Sequence, residues 1–192
     1  MMAGEAQNTS EDGEPLSLAR LGAGHLVMVA GFVFAIWATG SLPWLQLGVA
    51  GLGGFVIAVS LHEWCHLLGA WRSGGRYRVA SKPGFLTFDW DFERSSLGQF
   101  YVMSVAGNLG TLLSIPLLWL VVGTEAAAAR AMVAGAWASL GFAATIEWPV
   151  LARTLSSGEP EDELAKLDAK VLSASVVVAI AVGVLSFRLL AP

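Results

Sequence analysis

Residues 47–71 read LGVAGLGGFVIAVSLHEWCHLLGAW, one long apolar run with two histidines and a glutamate near its end. A bilayer is crossed by about 20 helical residues, so the run is long enough to span it. Ionisable groups at membrane depth are costly and by default mark a functional site. On a helix, residues four apart share a face, so His62 and His66 can point their imidazoles at one spot. His62-Glu63-Trp64-Cys65-His66 has the form H-E-x-x-H, whose two histidines suit a single Zn²⁺. Glu63 sits beside that metal, where it can accept a proton from a water the metal acidifies.

The rest of the chain agrees with a membrane setting. Of its 192 residues, 55% are hydrophobic and only 14% charged, where soluble domains carry about a quarter charged. Mean hydropathy is +0.64. The net charge of −4 is small, and the basic residues are spread over loops, so no nucleic-acid partner is expected. Cys65 is the single cysteine, which excludes an internal disulfide and a cysteine-built zinc site. It stands at a variable position of the motif, where a small apolar residue would serve equally, and is given no role.

Residues 1–20 begin with a polar, acidic stretch (MMAGEAQNTSEDGEPLS) that is expected to be a disordered cytoplasmic tail. Its acidic start does not resemble a secretory signal. Residues 21–192 are expected to form one transmembrane domain with spans at about 21–42, 47–71, 99–122, 127–152 and 171–190. Pro116 and Pro149 fall within spans and are expected to kink them or mark a break.

With five spans, one side of the membrane receives Arg20, Arg72, Arg76, Arg78, Lys82, Arg94, Arg153, Lys166 and Lys170, and the other only Arg130 and Arg188. This bias puts the N-terminus in the cytoplasm and the C-terminus outside. It also makes a statement about depth. At 1.5 Å per residue His66 lies roughly 9 Å from the cytoplasmic end of its span, Glu147 at roughly the same depth, and Asn108 at roughly 14 Å. Three polar groups from three spans thus share one layer near the cytoplasmic leaflet.

A catalytic zinc usually has three protein ligands. Glu147 is the one other acid within a span and the first choice for the third; the alternative is an interfacial Glu beside the anchor Trp148. His25, near the start of the first span, is a second choice. Asn108 follows Ser104 and Gly107, and its amide can hydrogen-bond a substrate backbone or a metal ligand. Ala131, Gly135, Ser139 and Ala143 recur every four residues, a small-residue ridge for close helix packing. Phe88-Asp89-Trp90-Asp91-Phe92-Glu93 alternates with the period of a strand, after a turn at Lys82-Pro83-Gly84. It reads as a hairpin with its aromatics in the lipid boundary, either adding a strand to a substrate or simply capping the helices. The acidic stretch 156–163 reads as a solvated connector leading into a short amphipathic piece, Leu164 to Leu167.

These residues resemble a family. His62-Glu63-Trp64-Cys65-His66 late in one membrane helix, Gly107-Asn108 in the next, and an acid beside Pro149 in the one after are similar to the site-2 proteases over roughly residues 47–155. Two features differ: that family has Asp as third ligand where Glu147 stands, and a Gly-Pro-x-x-Asn where only Gly107-Asn108 remains. The apolar spans and the alternation at 88–93 give an all-α polytopic membrane protein of about five transmembrane helices with a small cytoplasmic β-hairpin, and the resemblance implies a three-helix metalloprotease core within it. It implies an intramembrane zinc metalloprotease, a divergent member, that cleaves a membrane protein or peptide within the lipid bilayer. His62, His66 and Glu147 would hold Zn²⁺, Glu63 would be the base, and Asn108 would bind substrate. The rival readings are a catalytically inactive subunit that scaffolds membrane-complex partners, and a metal carrier. A carrier needs ligands at several depths, whereas only one layer is visible here.

Overall fold

The computed structural model describes residues 16–82, 84 and 87–191. The acidic segment through residue 15 and Pro83 of the expected turn lie outside them. Among the described residues, five helices are long and apolar enough to cross a membrane: α1 (Leu18–Ala38), α2 (Pro43–Ser73), α3 (Leu97–Val122), α4 (Ala127–Ser157) and, after the short α5 (Pro160–Ala165), α6 (Ala169–Leu189). Between α2 and α3 lies a two-stranded antiparallel sheet of β1 (Tyr77–Val79) and β2 (Phe88–Trp90).

Local chemistry sets the helix ends, which depart from the hydropathy limits by a few residues. α1 starts at Leu18, inside the stretch assigned to the tail, because the Ser17 hydroxyl accepts from the Arg20 N–H. α2 begins at Pro43, whose missing N–H is no loss in a first turn. It ends at Gly74, left-handed at φ 72°, a conformation glycine adopts without strain. Ser96 and Gln99 close a reciprocal capping box at the start of α3. α3 and α4 run unbroken through Pro116 and Pro149, so neither proline ends a span. In a packed membrane bundle, neighbouring groups can re-satisfy the one backbone hydrogen bond that a proline removes.

α2 is the central helix, packed along both α3 and α4; α4 also receives α6, and α1 leans on α2. Glycines let these backbones touch. A Cβ on Gly54 would overlap the Met132 carbonyl, and one on Gly135 the Gly51 carbonyl. The ridge Ala131, Gly135, Ser139 and Ala143 is buried throughout, as close packing requires. Small side chains such as Ala50, Ala58 and Ala136 fill the seam with Ile115, Leu118 and Val133. Large apolar side chains instead face outward, with Trp37 76% and Leu120 84% exposed. So much exposed apolar surface suits lipid and not water.

The hairpin differs from expectation in where its aromatics go. Tyr77, Phe88, Trp90 and Phe92 pack against Ala70, Phe100 and Met103 at the ends of α2 and α3. They cover helix ends, the capping alternative, with Arg78 and Asp89 paired in register on the other face. The connector after α4 is more ordered than its acidity suggests. Its helix is α5 itself, and Glu163 turns inward to Lys166 Nζ at 2.6 Å and Arg153 Nε at 2.7 Å. Those two cations, Lys166 foremost, hold its carboxyl below the ordinary range.

Candidate metal centre

The site lies where α2, α3 and α4 meet. His62 and His66, one turn apart on α2, set their rings at right angles with centroids 4.2 Å apart. The ligand atoms of His62, Glu63 and His66 all fall within 4.8 Å of one another. His62 is buried and the other two are half-buried.

α3 holds the rings from behind. His66 Nδ1 lies 2.8 Å from the Met103 carbonyl, and His62 Nδ1 lies 2.8 Å from Thr111 Oγ1. A Cβ on Gly107 would overlap the His66 ring, so that glycine makes the room the imidazole occupies. Gly110 does the same for Cys65, which fills the α2–α3 seam.

α4 closes the front. Glu147 Oε1 is 2.8 Å from His62 Nε2, and Oε2 is 3.8 Å from His66 Nε2. Asn108 Nδ2 donates to Glu147 Oε2 at 2.6 Å and to the Ser104 carbonyl at 3.0 Å. Its Oδ1 accepts from Trp148 Nε1 at 2.8 Å. Glu63 is approached from the hairpin loop, where the buried Thr87 hydroxyl donates to its carbonyl at 3.3 Å.

The donor set fits a cation. The Met103 carbonyl can only accept, so the proton of His66 sits on Nδ1. Nε2 of a neutral His66 then turns a lone pair toward a carboxylate oxygen. Two such acceptors face each other comfortably only with a cation between them, a proton or a metal ion. Two imidazole nitrogens and one carboxylate, with the second histidine nitrogens already engaged, are groups that could hold a metal ion.

His62, Glu63, His66, Glu147 and Asn108, all expected from the sequence, are brought to one place. His25 is not. Its Nδ1 accepts from Trp64 Nε1 at 2.8 Å, and its Nε2 lies 3.2 Å from the Gly84 carbonyl, so α1 joins α2 and the loop there. Thr111, the Met103 carbonyl, Thr87 and the inward N–H of Trp148 were not anticipated. Thr111 had a usable signal, since it lies four residues after Gly107 and shares its helix face. Comparison of the chain with family models, with curated proteins and with solved structures gives no match.

Proposed function

We propose that this chain is a membrane-embedded zinc endopeptidase, similar to the site-2 proteases, that hydrolyses a peptide bond of a membrane protein. One observation carries the reading. The Nε2 atoms of two histidines on α2 and the carboxylate of Glu147 on α4 converge at 2.8 and 3.8 Å, with Glu63 alongside. Two carboxylates stand near the imidazoles, and their settings divide the labour. Glu147 reaches across from another helix to both histidines and is held by Asn108, as suits a ligand. Glu63 follows His62 on the same helix, its side chain turned about 100° away, as suits a base beside the metal.

Zinc bound by His62, His66 and Glu147 would supply Lewis acidity to the scissile carbonyl and to the attacking water. Glu63 takes the proton from that water at its carboxylate and passes it to the departing amine nitrogen. Met103 and Thr111 hold the histidine rings in place through their Nδ1 atoms. The substrate has to unwind locally, because a helical carbonyl in a bilayer is already hydrogen-bonded. The bias of basic residues supports a cytoplasmic N-terminus and a site nearer that leaflet.

Glu63→Gln tests the reading in cells that make the protein, with membrane-protein termini read by mass spectrometry. Loss of the base should cost about 10²–10⁴-fold in turnover. The same uncleaved proteins should then accumulate in Glu63→Gln cells as in cells lacking the gene. Termini identical to wild type in Glu63→Gln would favour a non-catalytic scaffold and end the protease reading.

A further inference from the structure

We infer that Trp148 is a positioning residue: with Asn108 it clamps the carboxylate of Glu147 in the geometry that holds the metal. The inference rests on the zinc reading above. Trp148 is 56% exposed on the outside of the bundle, where a tryptophan ordinarily serves as an interface anchor. An anchor turns its indole N–H toward the polar edge of the bilayer. This one turns it inward, 2.8 Å from Asn108 Oδ1.

The amide of Asn108 has a donor end and an acceptor end, and consecutive residues of α4 take one each. Glu147 Oε2 accepts from Nδ2, and Trp148 Nε1 donates to Oδ1. Three contacts fix which way round the amide sits. Turned over, Oδ1 would face the Glu147 carboxylate and the Ser104 carbonyl, both acceptors, and Nδ2 would face the indole N–H. The indole is a donor only, so it enforces this orientation rather than merely tolerating it. Both ends of the amide are therefore occupied. Asn108 serves Glu147, and a substrate backbone would have to break this clamp to use it. Partners that orient metal ligands in this way typically contribute about 10–100-fold in metal affinity.

The test is a zinc titration of the purified full chain in detergent against a chromophoric chelator. It compares wild type, His66→Ala, Trp148→Phe, Asn108→Leu and the double variant Trp148→Phe/Asn108→Leu. Asn108→Leu should weaken zinc binding by about 10–100-fold and Trp148→Phe by about 10-fold. In the Asn108→Leu background, Trp148→Phe should change nothing further, because the indole acts only through the amide. The visible spectrum of the Co²⁺-loaded protein should also shift in Trp148→Phe, a change that loss of a mere anchor would not produce. Trp148→Leu removes the same donor and replaces Trp148→Phe should that variant not fold. Wild-type affinity and an unshifted spectrum in the Trp148 variant would overturn the clamp alone. So would a full additional loss in the double variant. Absence of zinc binding in wild type, or retention in His66→Ala, would overturn the metal centre and the clamp with it.

Discussion

Gly107→Ala separates the site from the fold more sharply than any ligand substitution. The added Cβ would fall on the Cε1, Nδ1 and Nε2 atoms of the His66 ring. α3 has little room to retreat, because Gly110 and Gly69 hold the same interface, where a Cβ would meet Cys65 at 2.7 Å and Ala106 at 2.6 Å. The ring must therefore turn. Turning it breaks the Nδ1 contact with the Met103 carbonyl, a hydrogen bond of about 1 kcal/mol, and swings Nε2 away from Glu147. Overpacking by one methyl costs roughly 1–3 kcal/mol, so the bundle should still fold, with a modestly lowered melting temperature. Zinc binding should suffer more. Loss of one of three protein ligands should weaken it by at least about 100-fold, equivalent to about 2.7 kcal/mol. The assay is chelator competition on detergent-purified protein beside a thermal melt, with Gly31→Ala as control, since nothing lies within 4 Å of a Cβ there. Wild-type zinc affinity in folded Gly107→Ala would refute the placement of His66 against α3.

Other outcomes follow from the same packing. Gly135→Ala should destabilise the bundle by about 1–3 kcal/mol or more, because its Cβ meets the Gly51 backbone rather than a side chain that can rotate; an unchanged melting temperature would exclude so close an α2–α4 seam. Glu163 has a lowered carboxyl pKa, so its hold on α5 is present above the ordinary value of 4.5 and is lost as pH falls through the folded value below it. Amide protection over 159–167 should drop in that acid window and, in Glu163→Gln, should already be low at neutral pH; equal protection in the variant would show that α5 docks without it. A reporter inserted after Gly75 should lie in the cytoplasm and one fused at the C-terminus outside, and both on one side would remove a span.

How much of this was legible in the sequence depends on what each signal encodes. Hydropathy located all five long helices, since lipid demands about 20 apolar residues wherever a helix crosses. It missed their ends, which capping chemistry sets at Ser17, Pro43 and Gly158. Charge bias and helical rise put His66, Glu147 and Asn108 in one layer, and Glu147 Oε2 lies 3.8 Å from His66 Nε2 and 2.6 Å from Asn108 Nδ2. The alternation at 88–93 told which residues share a face but not what covers that face, so the aromatics were given to lipid when they cover helix ends. Glu163 was read as solvated because composition does not report that two cations lie within 2.7 Å of it. The Met103 carbonyl has no sequence signature at all, every residue having one. Trp148 could be placed near an interface by type, but the direction of its N–H is a property of packing alone.

The metal content of the purified chain, equilibrated with micromolar zinc, freed of excess and read by elemental mass spectrometry, bears on all of this at once. Wild type and Glu63→Gln are expected to hold about one zinc per chain, and His66→Ala almost none. A metal-free wild type, or a His66→Ala variant that keeps its full zinc, would contradict the centre at the junction of α2, α3 and α4.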